Sequence, residues 1–270
     1  MHFFGFDIDA SPGAAYEDIS DILEPLRTHD AAARILARLA RVPGETLDEE
    51  ISRLDDVINL LDSARDLLLD LLCMQRATLL SRFANALRDS FRYIQMAFPA
   101  ADWPSLNRAM AYRETLMHRN VADAIADSSD ASKVVLMSHD LHLARNYGLI
   151  KGNIGAGPGG GTVDALGTFL NHRAPDDIYS VWMLCNRGRD SQPFSFCTRD
   201  IKPVDGSFNS ILAEIGSAFV LPLDGIDHAA RLLLNPELPV RMDGNTQVRT
   251  PIARQADAIV FIDQVSPLRS

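Results

Sequence analysis

Apolar residues recur at helical spacing from Tyr16 to Asp127, and on either side of that block they fall in short runs of the kind that buried strands make. The clearest helix begins at Thr46, where Thr46 and Glu49 have the spacing of a capping box. It then presents Ile51, Leu54, Val57, Ile58, Leu61, Ala64, Leu68, Leu71 and Leu72 along one side. Asp55, Asp56, Asp62, Arg65 and Asp66 stand opposite, so one face is solvated and the other is core. Breaks at Val42-Pro43-Gly44 and between Phe98 and Pro104 divide the block, which reads as scaffold. Ahead of it, His2-Phe3-Phe4-Gly5-Phe6-Asp7-Ile8-Asp9 reads as a short buried strand closed by Ser11-Pro12-Gly13.

After the helical block, Lys133-Val134-Val135-Leu136-Met137-Ser138 is a continuous run with β-branched residues, the pattern of a buried and often parallel strand. His139-Asp140-Leu141-His142 follows at its carboxyl end, where open α/β sheets bind ligands. A glycine-rich stretch runs from Gly152 to Gly161, then a helix is predicted from Val163 to Arg173. Strands are predicted near Ile178 to Leu184, Phe194 to Thr198, Ala218 to Pro222 and Ala258 to Ile262, and helices near Phe208 to Ile215 and Ile226 to Leu234. The sum is an α/β protein: a mixed, mainly parallel sheet flanked by helices, with a helical-bundle insertion over residues 14–130 inside one domain of residues 1–270.

Composition narrows the functional classes. With 47% hydrophobic and 23% charged residues, the 270-residue chain has the makeup of a folded globular protein. A net charge of -10 disfavours nucleic acid as a partner, because neutralising phosphates takes clustered cations. Cys73, Cys185 and Cys197 form neither a disulfide framework nor a zinc-ribbon spacing, which suits a reducing compartment and a cytoplasmic location. Nothing approaches the ~20 apolar residues of a membrane span. Gly155, Gly157 and Gly160 form a G-x-G-x-x-G, but no strand leads into it and Pro158 interrupts it, so a surface loop is expected in place of a dinucleotide cradle.

Candidate chemistry gathers at the histidines. No G-x-S-x-G is present, and Ser138 beside His139 would point to the opposite side of a strand, which disfavours a covalent serine mechanism. His139 and His142 fit a general base and an electrophilic partner, two structural histidines, or part of a metal site. A metal would need a third ligand from His118, His172, Asp164 or Glu114. Arg113 stands near the end of the helical block, where an arginine is ordinarily a surface group.

Taken together, these pieces resemble the erythromycin esterase family. Arg113-Glu114-Thr115-Leu116-Met117-His118-Arg119-Asn120 is similar to its R-[DE]-x-x-M-x-x-N helix, and the run from Val134 to His142 is similar to its apolar strand and W-x-H-N-x-H signature. Phe4-Gly5-Phe6-Asp7 resembles its G-F-D strand, and Leu166-Gly167-Thr168-Phe169-Leu170 its M-G-x-x-L helix. The tail from Ala256 to Pro267 resembles its closing strand. The resemblance implies a cofactor-free hydrolase acting on a small-molecule ester, a macrolactone or a relative of one, through activated water. His139 and His142 would line the site, with Arg113 as a cation facing a carboxylate or oxyanion. The family's upstream G-E-x-x-H-G segment has no counterpart in residues 1–270, so the chain is expected to begin one structural unit late. That leaves a second reading open, a non-catalytic or truncated ligand-binding or scaffold remnant of the same fold. The sequence carries no signal of oligomeric state.

Overall fold

The computed structural model describes residues 13–100, 102–126, 133–138, 141–152, 164–191, 198–225, 234, 236–242 and 247–267. The chain forms two compact units, Met1–Val121 and Ala122–Ser270.

The first unit is helical. Its elements are α1 (Gly13–Leu23), α2 (Asp30–Leu39), α3 (Leu47–Ser63), α4 (Arg65–Leu71), α5 (Met74–Ala97) and α6 (Trp103–Ala126), the last running past the unit boundary. The capping box at the start of α3 is as the sequence predicts. The Thr46 hydroxyl accepts from the Glu49 N–H at 3.3 Å, and the Thr46 N–H donates to the Glu49 carboxylate at 2.9 Å. The apolar stripe that begins there is divided: the backbone leaves helical geometry at Ala64, so α3 and α4 carry it in two pieces. Ile19, Leu23, Ile35, Leu54, Val57, Leu80 and Leu87 form the centre of the core. Arg53 is buried among them and satisfied on every side. It donates to Glu45 at 3.0 Å, to the Arg38 and Leu39 carbonyls at 3.0 and 3.1 Å, and to the Tyr16 hydroxyl at 3.2 Å. It thereby closes the carboxyl end of α2, whose last carbonyls have no helical partner.

The second unit is α/β. Its elements are β1 (Lys151–Gly152), α7 (Leu166–Arg173), β2 (Val181–Ser191), β3 (Thr198–Ile201), α8 (Phe208–Ile215), β4 (Ala218–Pro222), β5 (Leu238–Arg241), β6 (Gln247–Thr250) and β7 (Ala258–Val265). One sheet has the order β3-β2-β7-β4 and a smaller one the order β1-β6-β5. Strand alternation puts Trp182, Leu184, Ile259 and Phe261 on one side, buried with Phe208 and Leu212 of α8.

Several sequence expectations change. Among the described pairings only β2 with β7 is parallel, and the other four ladders are antiparallel, so the sheet is mixed and not mainly parallel. Unbroken apolar runs report burial on both faces, which parallel strands favour but which does not by itself fix strand direction. Residues 133–138 form no strand among the described residues: the segment joins none of the described ladders, and Val135 and Met137 are each 80% exposed. An apolar run becomes a strand only where a neighbour takes its backbone groups. The β2 strand starts later and runs further than predicted, and β5, β6 and β1 form a sheet that the sequence does not announce. The strand predicted at residues 2–9, the glycine-rich stretch from residue 153 onward, most of the strand predicted at 194–198 and all of the helix predicted at 226–234 except Leu234 lie outside the described residues. Among the described residues, no helix is long and apolar enough to cross a membrane.

Candidate active site

The stretches that carry candidate chemistry belong to different units. In the helical unit, Glu114, Met117 and Val121 recur at i, i+3 and i+7 and form the buried stripe of α6. Arg113 precedes Glu114 and is half-buried. Its guanidinium carbon stands 5.8 Å from the centroid of the Tyr93 ring on α5, within cation–π reach. Arg113 is thus a cation packed on an aromatic face.

Asp89 on α5 is 1% exposed and carries a buried charge. It accepts from Arg88 at 2.9 and 3.0 Å, from the Tyr112 hydroxyl at 3.1 Å and from Arg119 at 2.8 Å. Burial, and then the Asp89 charge, push the Tyr112 hydroxyl above its ordinary pKa and keep it a donor. Sequence reasoning did not find Asp89. Its partners come from 1 to 30 positions away, a spacing that marks no motif.

In the α/β unit, His142 is half-buried on a turn that α7 holds from behind. The His142 carbonyl accepts from the Gly167 N–H at 2.8 Å. The Thr168 hydroxyl donates to the Ala144 carbonyl and accepts from the Tyr147 N–H, both at 2.9 Å. Arg145 donates to the Asn171 side chain at 2.8 Å and pairs with Asp257, whose other carboxylate oxygen accepts from the Ser180 N–H at 2.7 Å. The segment bearing His142 is thus tied both to α7 and to the entrance of β7. Gly167 makes the contact possible, because a Cβ there would lie 2.3 Å from the Leu143 carbonyl carbon and oxygen. No backbone can tolerate that approach with a side chain in place.

His139 lies outside the described residues. Among the described residues no group of three His, Cys, Asp or Glu side chains is placed to hold a metal ion. What the α/β unit offers chemically is the imidazole of His142 on a turn clamped to α7.

The family model for erythromycin esterase matches residues 1–265. The chain belongs to the erythromycin esterase family. Among solved structures, one similar to it is a succinoglycan biosynthesis protein, at 17% identity and a TM-score of 0.64, covering 98% of this chain and 65% of that one. Another is a variant of the erythromycin esterase EreC in its open conformation, at 14% identity and a TM-score of 0.56, covering 96% of this chain and 68% of that one. The chain therefore spans about two thirds of the length of the solved structures it matches. Among curated protein sequences, none matches it. Gly167 is the glycine of Leu166-Gly167-Thr168-Phe169-Leu170, and the close approach to Leu143 is what its missing side chain permits.

Proposed function

We propose that the protein is a hydrolase of the erythromycin esterase type that opens a macrolactone or a related carboxylic ester with activated water. The observation that carries this reading is the family match over residues 1–265, joined to a half-buried His142 on a segment clamped by α7. An imidazole of the His139–His142 pair takes a proton as water adds to the carbonyl carbon. The tetrahedral oxyanion then collapses, the C–O bond to the alcohol breaks, and the imidazolium returns the proton to the departing alkoxide. Arg113 is assigned as the cation facing a carboxylate or the oxyanion on the strength of the family motif alone. The physiological role would be macrolide resistance, exerted in the cytoplasm.

A non-catalytic ligand-binding or scaffold role is the second reading, favoured by the lack of any G-E-x-x-H-G in residues 1–270. One experiment separates them. Purified protein is incubated with macrolides and aryl esters beside His142→Ala, with circular dichroism confirming that both are folded. Hydrolysis at least tenfold slower in the variant supports the enzyme, and equal background rates in the two favour the binding role.

A further inference from the structure

The segment that carries His142 is built of turns. It runs from Leu141 to Ile150 with a 3₁₀ turn over Tyr147–Leu149, yet Ala144 and Ile150 are buried in the core of the α/β unit. Backbone groups taken out of water must be paired, and a segment of turns leaves many of them to partners from elsewhere. Helix α7 serves the His142 and Ala144 carbonyls and the Tyr147 N–H. Asn146 is served by Gln255, which stands between the turn at Ile252–Arg254 and the start of β7.

The Gln255 side-chain oxygen accepts from the Asn146 N–H at 3.1 Å, and its nitrogen donates to the Asn146 carbonyl at 2.9 Å. The same nitrogen donates to the Thr250 hydroxyl at 2.8 Å, so both of its N–H groups are used. Gln255 and Thr250 are each 0% exposed. An amide that exchanges both bonds with the N–H and C=O of one residue does what a facing residue does in an antiparallel ladder. Moving the Asn146 backbone would break two bonds at once, where water cannot replace them. The fixation continues toward His142: the Arg145 N–H donates to the Gln255 carbonyl, and the Ala144 N–H to the Leu141 carbonyl, both at 3.4 Å.

The geometry points to Gln255 as a positioning residue for His142, one that holds the Asn146 backbone as a strand partner would and so fixes the path of the histidine's turn. Its part in catalysis rests on the hydrolase reading. Its part in placing the imidazole does not.

Histidine labelling with diethyl pyrocarbonate tests the placement, with the exposed His29 of the helical unit as internal reference and tandem mass spectrometry reading the adduct on His142. Gln255→Met keeps the volume and removes both bonds to Asn146, so labelling of the half-buried His142 relative to His29 should rise about tenfold. Thr250→Val removes only the bond to the hydroxyl, and Leu212→Ala only packing from α8; both should stay near the parent. Gln255→Glu is the conservative check and covers a methionine variant that does not fold. Protonated, its carboxyl accepts from the Asn146 N–H and donates to the Asn146 carbonyl, and ionised it cannot donate. Its excess labelling over the parent should be small in mild acid and grow as pH rises, with no such growth in Leu212→Ala. In ester hydrolysis, Gln255→Met should lower kcat about tenfold and leave KM near the parent's value. Unchanged labelling in both Gln255 variants, or an equal rise in Leu212→Ala, overturns the placement, and an unchanged kcat overturns the catalytic part. A parent that hydrolyses no ester overturns the hydrolase reading and that catalytic part with it, while the labelling still decides the placement.

Discussion

A methyl group on Gly167 would sit 2.3 Å from the carbonyl carbon and oxygen of Leu143, next to His142, so Gly167→Ala must push α7 away from the histidine's segment. Overpacking of this kind costs on the order of 3 kcal/mol, because backbone on both sides has to give. Gly148 is the control in the same stretch, since a Cβ there would meet only the Asn146 side chain at 3.8 Å. Thermal unfolding should therefore fall by several degrees for Gly167→Ala and hardly change for Gly148→Ala. If the hydrolase reading holds, ester turnover should drop with the first and survive the second. Asp89 poses the opposite problem, removal instead of addition. Asp89→Ala leaves Arg88 and Arg119 without their shared counter-charge. The loss should be about 2 kcal/mol by urea denaturation, below the ~3–5 kcal/mol of a fully buried pair, because the half-exposed Arg119 can turn to water. Of these residues, Gly167 was legible from its place in a motif. Asp89 was not, because its role depends on how α5 and α6 pack, which no local pattern encodes.

Helix α3 ties one local pattern to a pH-dependent stability. The Glu49 carboxyl is held below its ordinary pKa, first by the Thr46 N–H and then by the Thr46 hydroxyl. A carboxylate depressed in the folded state stabilises it fully above the unfolded value of about 4.3, and that contribution is lost as pH falls through the folded value. The melting temperature of Glu49→Ala should accordingly lie below that of the parent at neutral pH, and the gap should narrow under acid. Thr46→Ala should cost about 1 kcal/mol at neutral pH. This element was legible because cap and stripe lie within a few residues of each other. So were α8 and β4, whose predicted ranges match, since each is a short apolar run with clear turns at its ends. The run at residues 133–138 was misread for a physical reason. A helix satisfies its own backbone, whereas a strand needs a neighbour, and no sequence pattern certifies that one is present. The β1-β6-β5 sheet was missed for the same cause, with strands of two to four residues and Pro239 inside one of them.

For the whole molecule the question is how two units share one chain. The core of the helical unit is drawn from Tyr16 to Phe91, and the ion pairs of Arg53 and Asp89 close within it. We propose that this block is an insertion into a single α/β domain and that it folds by itself. About 110 residues can sustain a core of their own, provided that no large apolar face depends on cover from elsewhere. A fragment of residues 13–126 should then show helical circular dichroism and a cooperative thermal transition, and Arg53→Met should lower the midpoint of the fragment and of the full chain alike. A broad, non-cooperative melt would mean that the helices lean on the rest of the protein, and would remove the reading of the block as an autonomous insertion. The α/β unit should behave differently on its own. With Met183 and Val220 bare on its sheet and Val135 and Met137 exposed besides, residues 122–270 should bind an apolar dye and self-associate as concentration rises, where the helical fragment stays monomeric. Sedimentation of the two fragments side by side checks this, and a monomeric, dye-silent α/β fragment would show that its exposed apolar surface needs no partner.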